Sequence, residues 1–222
     1  MRFWRLVIWF TCGGCALSCS AQYRILPGNL DTDGLPVSAA HICLGSTGTE
    51  HCYTPPNYMK DAPFGLDPQA KTVGKLNGQD LTLFTATFSG GGSGLLTSFA
   101  LLAVKNNEFT NLLPKVWLTD QSEYKVWNLP EFSSLPILLT ADFVWDFEAA
   151  KASNYQEETH FAAHRYKIEV FVYDPKVDRY TQRIAYTTSK KYPGLDEVDT
   201  IRVLDEEKTT ILAKLRANPS SK

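Results

Sequence analysis

The polar and apolar positions of the chain change pattern near residue 81. Leu81-Thr82-Leu83-Phe84-Thr85-Ala86-Thr87-Phe88 is strongly β-prone, with Leu81, Leu83, Thr85 and Thr87 on one side. A glycine-rich connection at 90–94 leads to an apolar strand over 98–104, and Asn106-Asn107 turns the chain into a strand over 109–113. Short strands follow at 116–118 and 124–127, and a long one at 137–147. Residues 166–173 and 180–187 form a hairpin across Asp174-Pro175-Lys176-Val177-Asp178. In it, Ile168, Val170 and Val172 point one way and Lys167, Glu169 and Phe171 the other. The tail differs: Asp205-Glu206-Glu207, then Ile211-Leu212-Leu215, then Lys214 and Arg216, predicts an amphipathic helix with charges that complement its dipole.

Upstream, residues 22–80 are rich in Gly, Pro, Asn and Asp and show little period. Tyr53-Thr54-Pro55-Pro56-Asn57 and the Pro63–Pro68 stretch fit neither helix nor central strand, so this part reads as loops and short strands. Asn77-Gly78 supplies a turn into the strand region. Leu83-Phe84-Thr85-Ala86-Thr87-Phe88 also matches Leu138-Leu139-Thr140-Ala141-Asp142-Phe143, as a duplicated sheet unit would. The expected fold is mainly β with a minor α part: an antiparallel β-sandwich or a propeller-like two-unit sheet, closed by a C-terminal helix. The loop-rich segment 22–80 and the β-rich segment 81–222 are expected to form one folding unit.

The first residues change the compartment. Arg2 and Arg5 precede the run Leu6-Val7-Ile8-Trp9-Phe10, and small residues follow up to Ser20-Ala21. That is the pattern of a signal peptide over 1–21, too short to cross a bilayer, which takes about 20 apolar residues. The protein is therefore expected to be exported, to the periplasm or outside the cell. The alternative processing is acylation of Cys19 as a lipoprotein, since Ser18 suits the preceding position while Leu17 stands one place too late. A membrane contact is expected only through that lipid.

Cleavage leaves Cys43 and Cys52, which in an oxidising space are expected to pair. A bridge over so short a loop contributes about 2–3 kcal/mol in the chain-entropy model. The formal charge of the whole chain, −2, becomes more negative once Arg2 and Arg5 are gone. A nucleic-acid partner, which needs a basic face, is excluded on that ground. With 44% hydrophobic and 12% aromatic residues the chain is globular.

Two segments could carry metal chemistry. Asn29, Asp31 and Asp33 place oxygens at alternate positions before Gly34. The stretch resembles the opening of an EF-hand-type loop or the Asp-rich turn of FG-GAP repeats, which implies calcium. It departs from the EF-hand pattern at its twelfth position, Ala40, where a bidentate glutamate belongs, so an ordinary polar turn competes with that reading. His160 and His164 share a face in helix or strand alike, and Glu158 joins them in a strand. Two histidines and a carboxylate suit zinc, although His-Glu-x-x-His is missing. His41 and His51 flank the cysteine segment and could complete such a site. Asp142 and Asp146 could pair as glycosidase carboxylates, the competing reading being a wet face opposite Phe143, Trp145 and Phe147. Ser93 lacks the second glycine of a nucleophile elbow, because residue 95 is leucine.

The first expectation is a non-catalytic exported domain, without cofactor, that binds a protein or glycan at the cell envelope. The alternatives are a metal-dependent hydrolase using Glu158, His160 and His164, and a structural envelope protein without a small ligand. An exposed row among Trp117, Trp127 and Trp145 would favour sugar stacking or protein docking.

Overall fold

Two antiparallel sheets lie face to face, a helical pair covers one of them, and a small third sheet covers the other. The computed structural model describes residues 23–45, 50–89, 95–119, 122–144, 163–193 and 202–218. The fold is mostly β, with three antiparallel sheets and a short helical C-terminal end.

The first meander is β4 (Leu66–Leu76), β5 (Gln79–Ser89), β6 (Leu95–Lys105) and β7 (Glu108–Asn111), and β8 (Val116–Thr119) pairs with the other half of β6. The second is β9 (Glu123–Trp127), β10 (Ile137–Val144), β11 (Arg165–Asp174) and β12 (Arg179–Thr187), in the order β12-β11-β10-β9. A three-stranded sheet of β1 (Tyr23–Leu26), β2 (His41–Leu44) and β3 (His51–Tyr53) precedes both. The tail is broken at Glu207 into α1 (Val203–Glu206) and α2 (Lys208–Ala217), where the sequence suggests a single helix.

Alternation along the strands sets the layers. Leu81 and Leu83 of β5 and Phe99 and Leu101 of β6 meet Leu138 and Phe171 of the opposing sheet in one core. The other faces of β5 and β6, through Phe84, Ala86, Ala100 and Leu102, pack on Ala40, Ile42 and Phe64. On β10 and β11 the outer residues Leu139, Ala141, Ile168 and Val170 lie under Val203, Leu204, Ile211 and Leu215. The long inner strands are therefore covered on both faces, which explains their nearly continuous apolar runs. A core shared by the two sheets is the arrangement of a sandwich and not of separate propeller blades.

The two matching hexapeptides occupy equivalent places. Each lies on the second strand of its own meander, and Leu83 and Leu138 meet in the same inter-sheet core. The expected hairpin at 174–178 is also present, and Asp178 at its tip accepts from the Tyr173 hydroxyl at 2.6 Å and ion-pairs with Lys105. The Lys105 ammonium, first, and that hydroxyl hold the Asp178 carboxyl below its ordinary range.

Asn111 repairs the gap where β7 hands over to β8. Its Oδ1 accepts from Leu101 N (3.1 Å) and Leu113 N (3.0 Å), and its Nδ2 donates to the Tyr53 hydroxyl at 3.4 Å. Burial pushes Tyr53 up to about 12 despite that bond. Tyr166 is likewise pushed up to about 12, by burial first and then by the Asp142 and Glu123 charges. An unfolded tyrosine ionises near 10, so stability is full below that pH and is lost as pH rises toward 12. Denaturant unfolding should give a midpoint that falls steadily between pH 10 and 12, by up to about 1.4 kcal/mol per pH unit for each such tyrosine. A flat midpoint there would contradict the burial of both phenols.

Candidate functional site

Two loops after β1 and β3 are locked together and line a surface cleft. The first closes on its own backbone: Asp31 Oδ1 accepts from Asp33 N (2.9 Å) and Leu35 N (2.8 Å), and Asp31 N donates to Leu35 O at 2.9 Å. Gly34 takes φ 80° in that turn, where a side chain would be strained. Ser38 Oγ then accepts from Asn29 N at 2.8 Å. In the second loop Tyr58 N donates to Ala62 O (3.0 Å) and Ala62 N to Met59 O (3.2 Å). The loops join through Gly28 N to Gly65 O (2.9 Å) and Ala40 N to Phe64 O (2.8 Å).

The cleft holds about 600 Å³, within the range of ligand sites, and Val37, Ser38, Lys60, Asp61 and Phe88 are among its walls. Leu30 is 51% exposed, Val37 61% and Met59 62%, and all three stand on these loops. Behind them lies a stack of rings: Phe64 meets Phe88 edge-on at 6.5 Å and Trp117 at 6.2 Å, and Trp117 meets Tyr58 at 4.8 Å. The Lys115 ammonium sits 3.7 Å over the Trp117 ring. Of the three exposed loop residues, Val37 lines the cleft, and Phe88 joins the cleft wall to this aromatic packing. A second groove of about 380 Å³ runs between the edge strands β4 and β9, past Lys71, Tyr124 and Lys125. The Lys125 charge there is taken up by Glu123, at 3.1 Å, and by Asp205.

The sequence-derived residues fall in separate places. Cys43 and Cys52 are bonded and stand directly opposite each other on β2 and β3. Their sulfurs come near Glu50, but the disulfide commits both, and Glu50 ion-pairs with Arg24. Asn29, Asp31 and Asp33 lie on the first cleft loop, where the Asp31 oxygen serves the turn. His164 is buried, bridges by its backbone to Tyr192 (2.9 and 2.7 Å) and packs 5.2 Å from the Phe143 ring. Glu158, His160, Asp146, Trp145, Ser93 and Cys19 lie outside the described residues. His41 meets Thr54 Oγ1 at 2.6 Å and His51 meets Glu108 at 3.5 Å, both on the small sheet. His164 belongs to the opposite side of the sandwich, so the described histidines do not converge.

Asp142 corrects the picture of a wet strand face. It lies between the sheets, where its Oδ1 accepts from Thr119 N (3.2 Å), Thr119 Oγ1 (2.6 Å) and Ser122 Oγ. Leu138 and Thr140 on the same face are 1% and 0% exposed, because the first meander covers that side. Trp117 and Trp127 form no exposed row, since they pack against opposite cores. Sequence reasoning passed over Met59, Lys60 and Asp61; their one signal was an apolar methionine within a polar, proline-flanked loop.

No protein-family model matches the chain. No curated protein matches it either. A solved structure, "Crystal structure of CarG", shares 13% identity, covering 60% of this chain and 93% of that one, with a TM-score of 0.38. A likeness at that level carries no argument about fold or function.

Proposed function

We propose that the chain is an exported, non-catalytic β-rich domain that binds a protein or glycan partner at the cell envelope through the cleft between its first two loops. The reading rests on the cleft and on Val37, which lines it and is exposed; Leu30 and Met59, also exposed, directly precede the wall residues Asp31 and Lys60 along the chain. Single exposed apolar residues are ordinary, whereas a group beside a concavity is typical of interaction sites. The locked loops favour binding further, because a rim held by hydrogen bonds loses little entropy on association. The Asp31 carboxylate in the wall holds a turn, accepting from Asp33 N and Leu35 N.

Export is supported by the leader pattern together with the Cys43–Cys52 disulfide, whose bonds persist in oxidising compartments. No helix among the described residues is long and apolar enough to cross a membrane. Cleavage after Ala21 would release the domain, and acylation of Cys19 would tether it beside its partner.

The test is sedimentation of the mature protein with isolated cell envelopes. Val37→Glu combined with Met59→Glu should reduce the bound fraction about tenfold, a loss of ~1.4 kcal/mol, with an unchanged melting temperature. Binding equal to that of the wild type would exclude the cleft as the contact.

A further inference from the structure

The chemistry of the cleft also selects its occupant. Resting on the binding reading above, we infer that the cleft receives an extended segment of a partner protein carrying a lysine or arginine flanked by aliphatic side chains.

The rim argues against a sugar. Glycans stack on open aromatic faces, and the exposed large hydrophobic of the wall is the aliphatic Val37, with Leu30 and Met59 next to wall residues along the chain. Phe88 lines the cleft but is partly buried with its ring against Phe64, and the exposed aromatic Tyr124 belongs to the other groove. Methionine is adaptable and over-used at peptide-binding surfaces, and aliphatic side chains of a partner would complete the contact.

The charge argues for a cation. Asp31 and Asp61 line the cleft, Asp33 stands in the turn beside Asp31, and Lys60 is the one cation among the lining residues. Among the described residues no ion pair engages Asp31, Asp33 or Asp61. Lys125 in the second groove is neutralised by two carboxylates, so the contrast is local to the first. An anionic glycan, lipid headgroup or acidic peptide would meet like charge, whereas a basic side chain would gain attraction at a desolvating apolar rim.

The probes are two synthetic peptides, Ac-Leu-Lys-Val-Lys-Leu-amide and its counterpart with glutamate for lysine, titrated into the mature protein by NMR. The basic peptide should shift resonances of Val37, Met59 and Asp61, bind at least tenfold tighter than the acidic one, and weaken as salt screens the charges. Asp61→Lys should cut its affinity about tenfold at an unchanged melting temperature, since Asp61 is exposed and its side chain makes no hydrogen bond or ion pair among the described residues. Equal binding of both peptides, binding of neither, or displacement of the basic peptide by a chitin oligosaccharide would overturn the inference. If the peptides fail while envelope sedimentation still depends on Val37 and Met59, the occupant is wrong and the binding surface stands. If sedimentation is also indifferent to them, both readings fall.

Discussion

Glu207→Ala should lower the unfolding free energy by about 3 kcal/mol, read from denaturant midpoints at constant slope. Glu207 is 8% exposed and sits where α1 gives way to α2. Its Oε2 accepts from the Tyr186 hydroxyl at 2.9 Å and its Oε1 from the Tyr192 hydroxyl at 2.7 Å. Lys214 lies 4.7 Å over the Tyr186 ring and Lys190 4.5 Å over that of Tyr192, so two cations flank the carboxylate through its donors. Both phenols are held well above their ordinary range, by burial first and then by the bond to Glu207. Truncation would strand two hydroxyls and release the helical pair from the outer core of Val203, Leu204, Ile211 and Leu215. Glu207→Gln keeps an acceptor for one tyrosine and should cost only about 1 kcal/mol. A loss below about 0.5 kcal/mol for the alanine variant would mean that the clamp does not hold the helices.

Gly28→Ala should be nearly as costly, about 3 kcal/mol, and it should also abolish envelope binding. A Cβ on Gly28 would stand 2.0 Å from the Ser38 carbonyl oxygen and 2.7 Å from the Gly65 Cα. Both obstacles are backbone, so no side-chain rotation relieves them, and the two cleft loops would have to part. The same crossing binds Gly65, whose Cβ would meet the Ser38 oxygen at 2.3 Å. Gly34→Asn is the control on the same loop: nothing lies within 4 Å, and asparagine tolerates a positive φ. It should cost under about 1 kcal/mol and leave binding intact. Equal stability of the Gly28→Ala and wild-type proteins would contradict the close crossing.

The strands with the simplest physics were the ones legible in the sequence. β5, β6 and β10 bury nearly continuous apolar runs, β11 alternates over its first half, and the hairpin at 174–178 has the turn residues it needs. β4 was hidden because two register shifts, between Leu66 and Gln69 and between Thr72 and Gly74, break its period of two, and Pro68 interrupts it. As an edge strand it tolerates all three. Asp142 was misjudged because alternation says which face a residue takes and not whether a second sheet covers that face. The helix break was invisible because Glu207 looks like one more acid of a first turn, until Tyr186 and Tyr192 arrive from elsewhere. The cleft depends on Gly28 meeting Gly65 across segments with no period at all. The disulfide was legible because only two cysteines, Cys43 and Cys52, lie beyond residue 21 and leave one pairing.

In the proposed function, the face carrying Val37 and Met59 meets another molecule in the cell envelope. Site-specific photo-crosslinking in living cells tests it most directly, with a benzophenone side chain placed in turn at Val37, Met59 and Val177, the last being 56% exposed on the far hairpin. Discrete covalent adducts from positions 37 and 59, and none from 177, are the predicted result. Adducts from 177 with none from 37 or 59 would contradict it.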